Sequence, residues 1–229
     1  MQWDGVTQSN TLRERLVMLT GEVFAAIHQK DWQLTLAKMA ENYVKANQIE
    51  LDEPSYNSII HYAAKDGVPV KVVQELINRG ASRTIKNADS KTALDLAKDN
   101  QHQHLLDILT PQYIFDVSLT ALHLIENQFH QLIRDEAGQF IDKHQLRLPQ
   151  LTLLLEQAYP YVSFPIPEYY GGYKFKLLID EDNISLICQV SSKMSDGAAQ
   201  IHQITPDKTN LLAKQYDENY YPLFKQYFT

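Results

Sequence analysis

An internal repeat with a period of 34 residues restricts the fold of this 229-residue chain more than any other feature. Residues 58–67 (SIIHYAAKDG) return as residues 92–101 (TALDLAKDNQ), and each copy leads into a second apolar segment, at 70–82 and 102–110. Repeats of this length are typical of stacked helix-turn-helix units, because one unit alone cannot bury its apolar face. We therefore predict a stack of helix pairs, in which alanines of both copies let neighbouring helices approach closely.

The first copy follows a recognisable order of residues. Its opening segment SIIHYAA is followed by Gly67, by Val72, Val73, Leu76 and Ile77, and by Gly80 and Ala81. This order resembles the ankyrin repeat, in which T-P-L-H-x-A-A, a glycine between two helices and an apolar second helix precede a β-turn finger. The resemblance implies a structural role for His61, because the histidine at this place in ankyrin proteins bonds backbone groups of adjacent fingers.

The other copies are degenerate. The second keeps the segment TALDLA but has Asp95 at the histidine position and Gln101 at the glycine position, so it resembles a capping repeat. A weaker copy begins at residues 24–31 (FAAIHQKD). Since stacked arrays generally need about three units to close a core, we predict about three ankyrin repeats over residues 24–110, preceded by a capping helix in residues 1–23. The predicted core positions are Ile60, Ala63, Val73, Leu76, Leu94, Ala97 and Leu106.

Residues 111–229 predict a small α+β domain of a family that the sequence does not identify. Apolar residues recur at helical spacing from Phe115 and predict a helix of about five turns, which Gly138 ends. Another helix is predicted between Pro149 and Pro160. The segment that follows, up to Tyr173, is rich in proline, glycine and tyrosine and predicts an irregular loop.

Alternating apolar residues then predict two strands, 173–179 and 184–190, which form an antiparallel hairpin. Residues 199–205 are a candidate third strand, 206–214 a short helix and 219–228 an aromatic helix. The predicted fold class is therefore α+β. It combines an all-α ankyrin-repeat array with a small domain, whose helices pack on one face of a hairpin or three-stranded sheet.

The charge balance favours a protein as the partner. The net charge is −7, with 12 Lys/Arg against 14 Asp/Glu in the first 110 residues and 9 against 14 in the rest. An acidic surface repels phosphate, so nucleic acid is a poor partner and a protein with a basic surface a better one. The single cysteine, the lack of a persuasive signal peptide and the absence of a bilayer-length apolar run predict a cytoplasmic protein without membrane contact.

One helix face carries a weak metal-site pattern. His123, Glu126 and His130 have the three- and four-residue spacing that places side chains on neighbouring rows of a helix. No further ligand pattern accompanies them in the sequence, so a solvated helix face is the favoured interpretation. We predict no metal and no cofactor.

No set of catalytic residues assembles elsewhere in the sequence. Cys188 alternates in phase with aliphatic residues and is expected in the core, where a thiol is a poor nucleophile. The polar residues Ser192, Ser195 and Asp196 lack the context of a hydrolase nucleophile, and the acidic segment 180–182 is explained by a hairpin turn. We therefore predict that the chain is not an enzyme.

The resemblance also implies where a partner binds. Ankyrin partners contact the finger tips and the start of the turn between the two helices of a repeat. The matching positions are Pro54, Ser55, Asn57, Lys65 and Asp66 in one repeat, and Asp89, Lys91, Asp99 and Asn100 in the next. Tyr56 stands at the glycine position of the first finger, which leaves the turn geometry of that finger open.

Tyrosines provide a second candidate surface. Ten of the 13 tyrosines follow residue 111, and Tyr169, Tyr170 and Tyr173 fall in the segment predicted to be a loop. Tyrosine is favoured at interfaces because its ring buries a large area at low rotamer cost. These rings either contact the partner or cover the small sheet.

A protein-binding function follows, since an ankyrin array offers a rigid surface rather than catalytic groups. The most concrete prediction is a bacterial immunity-type antitoxin that occludes a basic toxin or effector. One alternative is an ankyrin adaptor, or a secreted effector that targets another protein. A different alternative is an enzyme with its active site in residues 111–229.

Overall fold

The structure, a computed structural model, describes residues 1–156, 161–180, 183–192 and 198–229. These residues form eight α-helices and a five-stranded antiparallel sheet, with most helices preceding the sheet in the chain. The fold class is α+β, as predicted. The chain divides into a helical unit, Val6–Gln112, and a C-terminal unit that combines Met1–Gly5 with Tyr113–Thr229.

The helical unit consists of three successive helix pairs. Its helices are α1 (Glu14–His28), α2 (Trp32–Glu41), α3 (Ile59–Asp66), α4 (Val70–Asn78), α5 (Ala93–Asp99) and α6 (Leu106–Leu109). Helix α3 lies at the centre, since it packs against α1, α4 and α5. Of the predicted core residues, Ile60, Ala63, Val73, Leu76 and Ala97 are fully buried. Leu94 and Leu106, in the last helix pair, are half-buried against the same core.

Turn conformations recur between the helix pairs. The residue that turns the chain from the first helix of a pair into the second has a left-handed backbone at Lys30, Gly67 and Gln101, with φ of 59°, 64° and 61°. The finger residues Tyr56 and Ser90, 34 positions apart, are also left-handed, with φ of 52° and 60°. Tyr56 therefore adopts the conformation for which glycine is the usual residue. From Gly67 to Gln101 and from Tyr56 to Ser90, the backbone therefore repeats with the 34-residue period of the sequence.

Replacing Gln101 by glycine is expected to stabilise the helical unit by about 0.5–1 kcal/mol. The left-handed backbone strains a residue with a Cβ by roughly 1–2 kcal/mol, and glycine removes that strain at a smaller cost in chain entropy. Urea titration measures the change. Asn100→Gly is the matched control, because Asn100 has φ −93° and gains nothing from glycine. Equal effects of the two substitutions would contradict the explanation.

The N-terminal segment differs from the prediction. The predicted capping helix in residues 1–23 and the first helix of the weak repeat are one helix, α1, which begins only at Glu14. The residues that precede α1 bind the first finger (residues 48–57), where Asp52 N donates to Thr7 O at 2.8 Å. Met1–Gly5 belong to the C-terminal unit, because Trp3 N donates to Ser163 O at 2.8 Å along an otherwise open sheet edge.

The sheet of the C-terminal unit is larger than predicted. Its strands are β1 (Val162–Ile166), β2 (Gly171–Asp180), β3 (Asn183–Ser191), β4 (Gln200–Ile204) and β5 (Thr209–Lys214). They pair in chain order, each antiparallel to the next. The predicted hairpin corresponds to β2 and β3, and the candidate third strand to β4. The prediction of only two or three strands was wrong, because β1 lies in the segment predicted as a loop and β5 in the segment predicted as a helix.

Helices cover both faces of this sheet, not one face as predicted. On one face, α7 (Leu119–Lys143) places Phe129 against Phe175, with ring centroids 4.9 Å apart. On the other face, α8 (Tyr220–Phe228) packs on Ile187, Ile201 and Ala213. Neighbouring residues of a strand point to opposite faces, so β3 can serve both cores.

Two predicted helices of this unit have different lengths in the structure. Helix α7 has 25 residues and continues through Gly138, because buried residues on both sides outweigh the cost of about 1 kcal/mol that glycine adds. The helix predicted after Pro149 is a short 3₁₀ segment, Leu151–Leu155, and its continuation to residue 160 lies outside the described residues. Across the described chain, every helix is too short or too polar to traverse a bilayer.

Candidate protein-binding surface

The first finger (residues 48–57) and the second finger (residues 82–91) are joined by hydrogen bonds. Ala88 N donates to Ser55 O at 2.8 Å, and the Asn87 amide donates to Asn57 Oδ1 at 2.9 Å. Bonds between backbone and buried side chains resist displacement, because breaking them leaves polar groups unpaired. The two finger tips are therefore held at a defined spacing.

His61 adds a third bond between the fingers. The backbone N–H of Ser58 donates to His61 Nδ1 at 3.1 Å, so the ring proton is on Nε2. Nε2 donates to Lys91 O in the second finger at 3.2 Å. The side chain is fully buried, and it has the structural role that was predicted for it.

Asp95 occupies the corresponding place in the last helix pair and acts only locally. Its carboxylate accepts from Thr92 N at 2.9 Å, and Asp95 N bonds Thr92 Oγ1, which together cap the start of α5. A carboxylate can only accept hydrogen bonds, whereas an imidazole accepts on one nitrogen and donates from the other. Asp95 therefore caps its own helix without donating to a carbonyl of a further finger.

A groove of about 470 Å³ lies between the first and second helix pairs. We call it the array groove, and its lining residues are Ile27, His28, Lys30, Glu53, Ser55, Asn57, Tyr62, Lys65 and Asp66. Cations and anions both line it, although the chain as a whole is acidic. Mixed charges of this kind suit a partner surface that carries charges of both signs.

Tyr62 and its neighbours form the best-defined polar group of the array groove. The Tyr62 hydroxyl donates to one carboxylate oxygen of Glu50, and His28 Nε2 lies 2.7 Å from the other oxygen. The His28 and Tyr62 rings meet edge to face, with centroids 5.7 Å apart. Burial, together with the bond to Glu50, raises the pKa of Tyr62. The hydroxyl therefore stays protonated and keeps donating at neutral pH.

The predicted contact residues of the first repeat are not equally available. Pro54 and Lys65 are exposed, while Ser55 and Asp66 are half-buried on the wall of the array groove. Asn57 is buried and holds the second finger through Asn87, so the prediction that it is an open contact residue needs correction. Asn57 stabilises the surface by bonding the second finger, because its side-chain oxygen already accepts a hydrogen bond from Asn87.

The predicted residues of the second repeat are all exposed, but two of them pair with each other. Lys91 Nζ lies 2.7 Å from Asp99 Oδ2, and this hydrogen bond raises the pKa of Lys91. The Asn100 amide donates to Leu96 O at 2.8 Å on its own helix. Asp89 is exposed at the tip of the second finger, where its carboxylate can meet a cationic group.

The structure separates the three predicted tyrosines. Tyr169 and Tyr173 have exposed fractions of 3% and 2%, so the prediction that they contact a partner is wrong. Both rings cover the sheet, with Tyr173 packed against Phe129 and Phe164. Burial raises the pKa of both hydroxyls. Only Tyr170, with 69% of its surface exposed, is available for contact.

Sequence reasoning missed a second pocket, in the C-terminal unit. We call it the aromatic pocket, because the rings of Tyr170, Tyr220, Tyr221 and Phe224 form much of its wall. Its volume is about 360 Å³. The concentration of aromatic residues in 216–228 is a signal for it, but the sequence does not show that the turn carrying Tyr170 lies beside α8.

Two of the three residues of the weak metal-site pattern form hydrogen bonds with the segment that follows α7. Glu126 Oε2 accepts from Leu151 N at 2.5 Å, and His130 Nε2 lies 2.7 Å from Pro149 O. These bonds hold the 3₁₀ segment against α7. Among the described residues, no three His, Cys, Asp or Glu side chains cluster in a way that could hold a metal ion. Ser195, Asp196 and the segment 181–182 lie outside the described residues.

Cys188 is expected to react slowly with thiol reagents in the native protein. It is fully buried on β3, between Phe175 of β2 and His202 of β4 in the sheet register, and burial raises its pKa. Thiolate is the reactive form, so both effects suppress labelling. Reaction with a chromogenic disulfide reagent, with and without urea, measures the difference. Native labelling as fast as unfolded labelling would contradict the described core.

Comparisons with known proteins leave the chain without an assigned family. No family model matches the sequence, and no curated protein matches it. The ankyrin resemblance of residues 53–111 therefore stays a prediction.

Proposed function

We propose that the chain is a protein-binding module of the ankyrin type, whose partner docks on the array groove and the tips of the two fingers. The observation that carries this proposal is the tie between the fingers through Ser55, Asn57 and His61. A surface that is ordered before binding loses less conformational entropy when the partner docks. The recurrence of turn conformations at Gly67 and Gln101 supports the repeat assignment on which the proposal rests.

Within this class we propose an immunity-type antitoxin of the cytoplasm that occludes a basic toxin or effector. The net charge of −7 favours such a partner over a nucleic acid. The array groove adds the more specific requirement of mixed charges, because Lys30 and Lys65 line it beside Glu53 and Asp66. An adaptor would use the same surface, and the identity of the partner distinguishes the two.

Affinity capture with matched variants tests the proposal. Full-length chain, the variants Tyr62→Ala and Lys65→Glu, and the control Tyr43→Ala are immobilised and exposed to native lysate. Tyr43 is 92% exposed and is not among the groove residues. We expect one protein to be retained by the parent chain and the control, and lost from both groove variants. Equal retention of that protein by all four chains would exclude the array groove as the docking surface.

Association with the captured protein is expected to slow at high salt and on reversing Asp66 or Asp89 to lysine. Opposite charges steer encounter, and the Debye length falls from about 10 Å at 0.1 M to about 3 Å at 1 M. Surface-binding kinetics measure both rates. Asp99→Lys is a useful contrast, because its carboxylate already pairs with Lys91. If the association rate depends neither on salt nor on the Asp66 and Asp89 reversals, electrostatic steering is not part of the mechanism.

A further inference from the structure

The described residues that line the aromatic pocket of the C-terminal unit are uncharged. Besides its four rings, its described lining residues are Gln189, Ser191, Ser192, Ala199 and Gln215. None of these residues carries a formal charge. At these described residues a ligand meets aromatic faces, amides and hydroxyls.

Several polar groups of this wall already form hydrogen bonds. Gln189 Nε2 donates to the Tyr220 hydroxyl at 2.8 Å, and Ser192 Oγ donates to Tyr169 O at 3.0 Å. Gln215 Oε1 accepts from Ala199 N at 3.1 Å. A ligand that needs several directional hydrogen bonds would have to break some of these. The exposed rings of Tyr170 and Tyr221 do not take part in these bonds.

The rings are held in a defined arrangement. Tyr220 stacks on Phe224 with centroids 6.2 Å apart and meets the edge of Tyr221 at 5.5 Å. Tyr221 is 60% exposed and Tyr170 69% exposed. Tyr170 has φ 53° in the turn between β1 and β2, a conformation that glycine or asparagine usually supplies. The turn thus keeps a large exposed ring at a strained position.

The same aromatic cluster already binds an ammonium group of the unit itself. Lys174 Nζ lies 5.6 Å from the centroid of the Phe224 ring and 5.2 Å from that of Tyr161. A cation within about 6 Å of a ring centroid is attracted by the negative face of the π-system. The chain from residue 111 onwards also carries 14 acidic against 9 basic residues, which favours the approach of a cation.

We propose that the aromatic pocket binds an arginine side chain of the protein partner, with its guanidinium against the exposed rings of Tyr170 and Tyr221. Arginine fits better than lysine, because its planar group stacks on rings and is more weakly hydrated. The identity of the arginine donor rests on the proposed protein-binding function. The cation preference of the pocket does not, so it can be tested with a simple peptide.

The probe is the peptide acetyl-Gly-Arg-Gly-amide, titrated into isotope-labelled full-length chain and followed by NMR. The control peptide replaces arginine by citrulline, which has nearly the same shape and no charge. We expect resonances of Tyr170 and Tyr221 to shift, and the arginine peptide to bind roughly three- to twenty-fold more tightly. Tyr221→Leu should abolish that preference, while Tyr221→Phe should keep it.

Tyr216→Leu is the matched control, because Tyr216 is 82% exposed in the same unit and does not line the aromatic pocket. Its backbone spectrum and affinity should match those of the parent chain. Equal binding of the arginine and citrulline peptides would overturn the proposal. So would tighter binding of acetyl-Gly-Pro-Pro-Gly-amide or maltotriose, or absence of saturation with any probe. The lysate experiment on the array groove can fail without affecting this result, and the reverse also holds.

Discussion

Ile60→Ala is expected to lower the free energy of unfolding of the helical unit by about 2–5 kcal/mol, the range for removing a large aliphatic side chain from a core. Ile60 is fully buried on α3. Because α1, α4 and α5 all pack against α3, the surrounding helices have little freedom to close the cavity. The upper part of the range is therefore the more appropriate expectation.

Fluorine NMR of chain labelled with 5-fluorotryptophan provides a separate readout for each unit, because Trp32 lies in the helical unit and Trp3 in the C-terminal unit. In a urea titration the Trp32 transition should move to lower urea in Ile60→Ala. The control is Leu16→Ala on α1, where the side chain is 48% exposed and the expected change is within about 0.5 kcal/mol. If the two alanine variants unfold at the same urea concentration, the described core of α3 is wrong.

The helix pairs were predictable because the same apolar pattern occurs twice at a fixed interval. A periodic pattern identifies a helix, but it does not show where the helix begins or which neighbour it packs against. Leu12, Leu16 and Leu19, at helical spacing, predicted a cap in residues 1–23. Leu16 and Leu19 instead belong to a helix that runs from Glu14 to His28, and Leu12 precedes it. The place of Met1–Gly5 depends on the β1 edge, more than 150 residues away, and no local signal reports it.

The outer strands of the sheet were missed for local reasons. β1 has only five residues, and Pro165 within it is typical of loops or edge strands. In β5 the pairing with β4 shifts register between Ile201 and His202, which interrupts the two-residue alternation that identifies a strand. The central strands β2 and β3 are longer and regular, and their alternation was sufficient to predict them.

The candidate site was predictable only as far as the repeat extends. Matching positions placed Ser55, Lys65 and Asp66 in one surface region, and the structure brings them together in the array groove. Sequence could not show that Asn57 turns inward or that Lys91 pairs with Asp99, because both depend on contacts between side chains. Whether each of these tyrosines is exposed depends on its place in the strand or the turn. Tyr169 is therefore buried, whereas its neighbour Tyr170 is exposed.

Gly172→Ala is expected to destabilise the C-terminal unit by about 2–5 kcal/mol, from left-handed strain of roughly 1–2 kcal/mol and overpacking of roughly 1–3 kcal/mol. Gly172 has φ 150°, in a region that side chains rarely enter. A Cβ there would lie 2.2 Å from Phe164 O and 2.9 Å from the Cα of Pro165. Both neighbours are backbone atoms of β1, so a rotamer change cannot relieve the contact and the strand pair itself must separate.

The Trp3 fluorine resonance should report this loss, because Trp3 binds β1 through Ser163 while Trp32 lies in the other unit. Gly138→Ala supplies a control with the opposite sign. The Cβ that it adds to α7 has no neighbouring atom within 4 Å, and alanine in a helix is favoured over glycine by about 0.5–1 kcal/mol. Gly172→Ala should therefore lower the urea concentration at the midpoint of the Trp3 transition, and Gly138→Ala should raise it. A Gly172→Ala chain that unfolds at the parent midpoint would show that β1 does not pair with β2 in the described register.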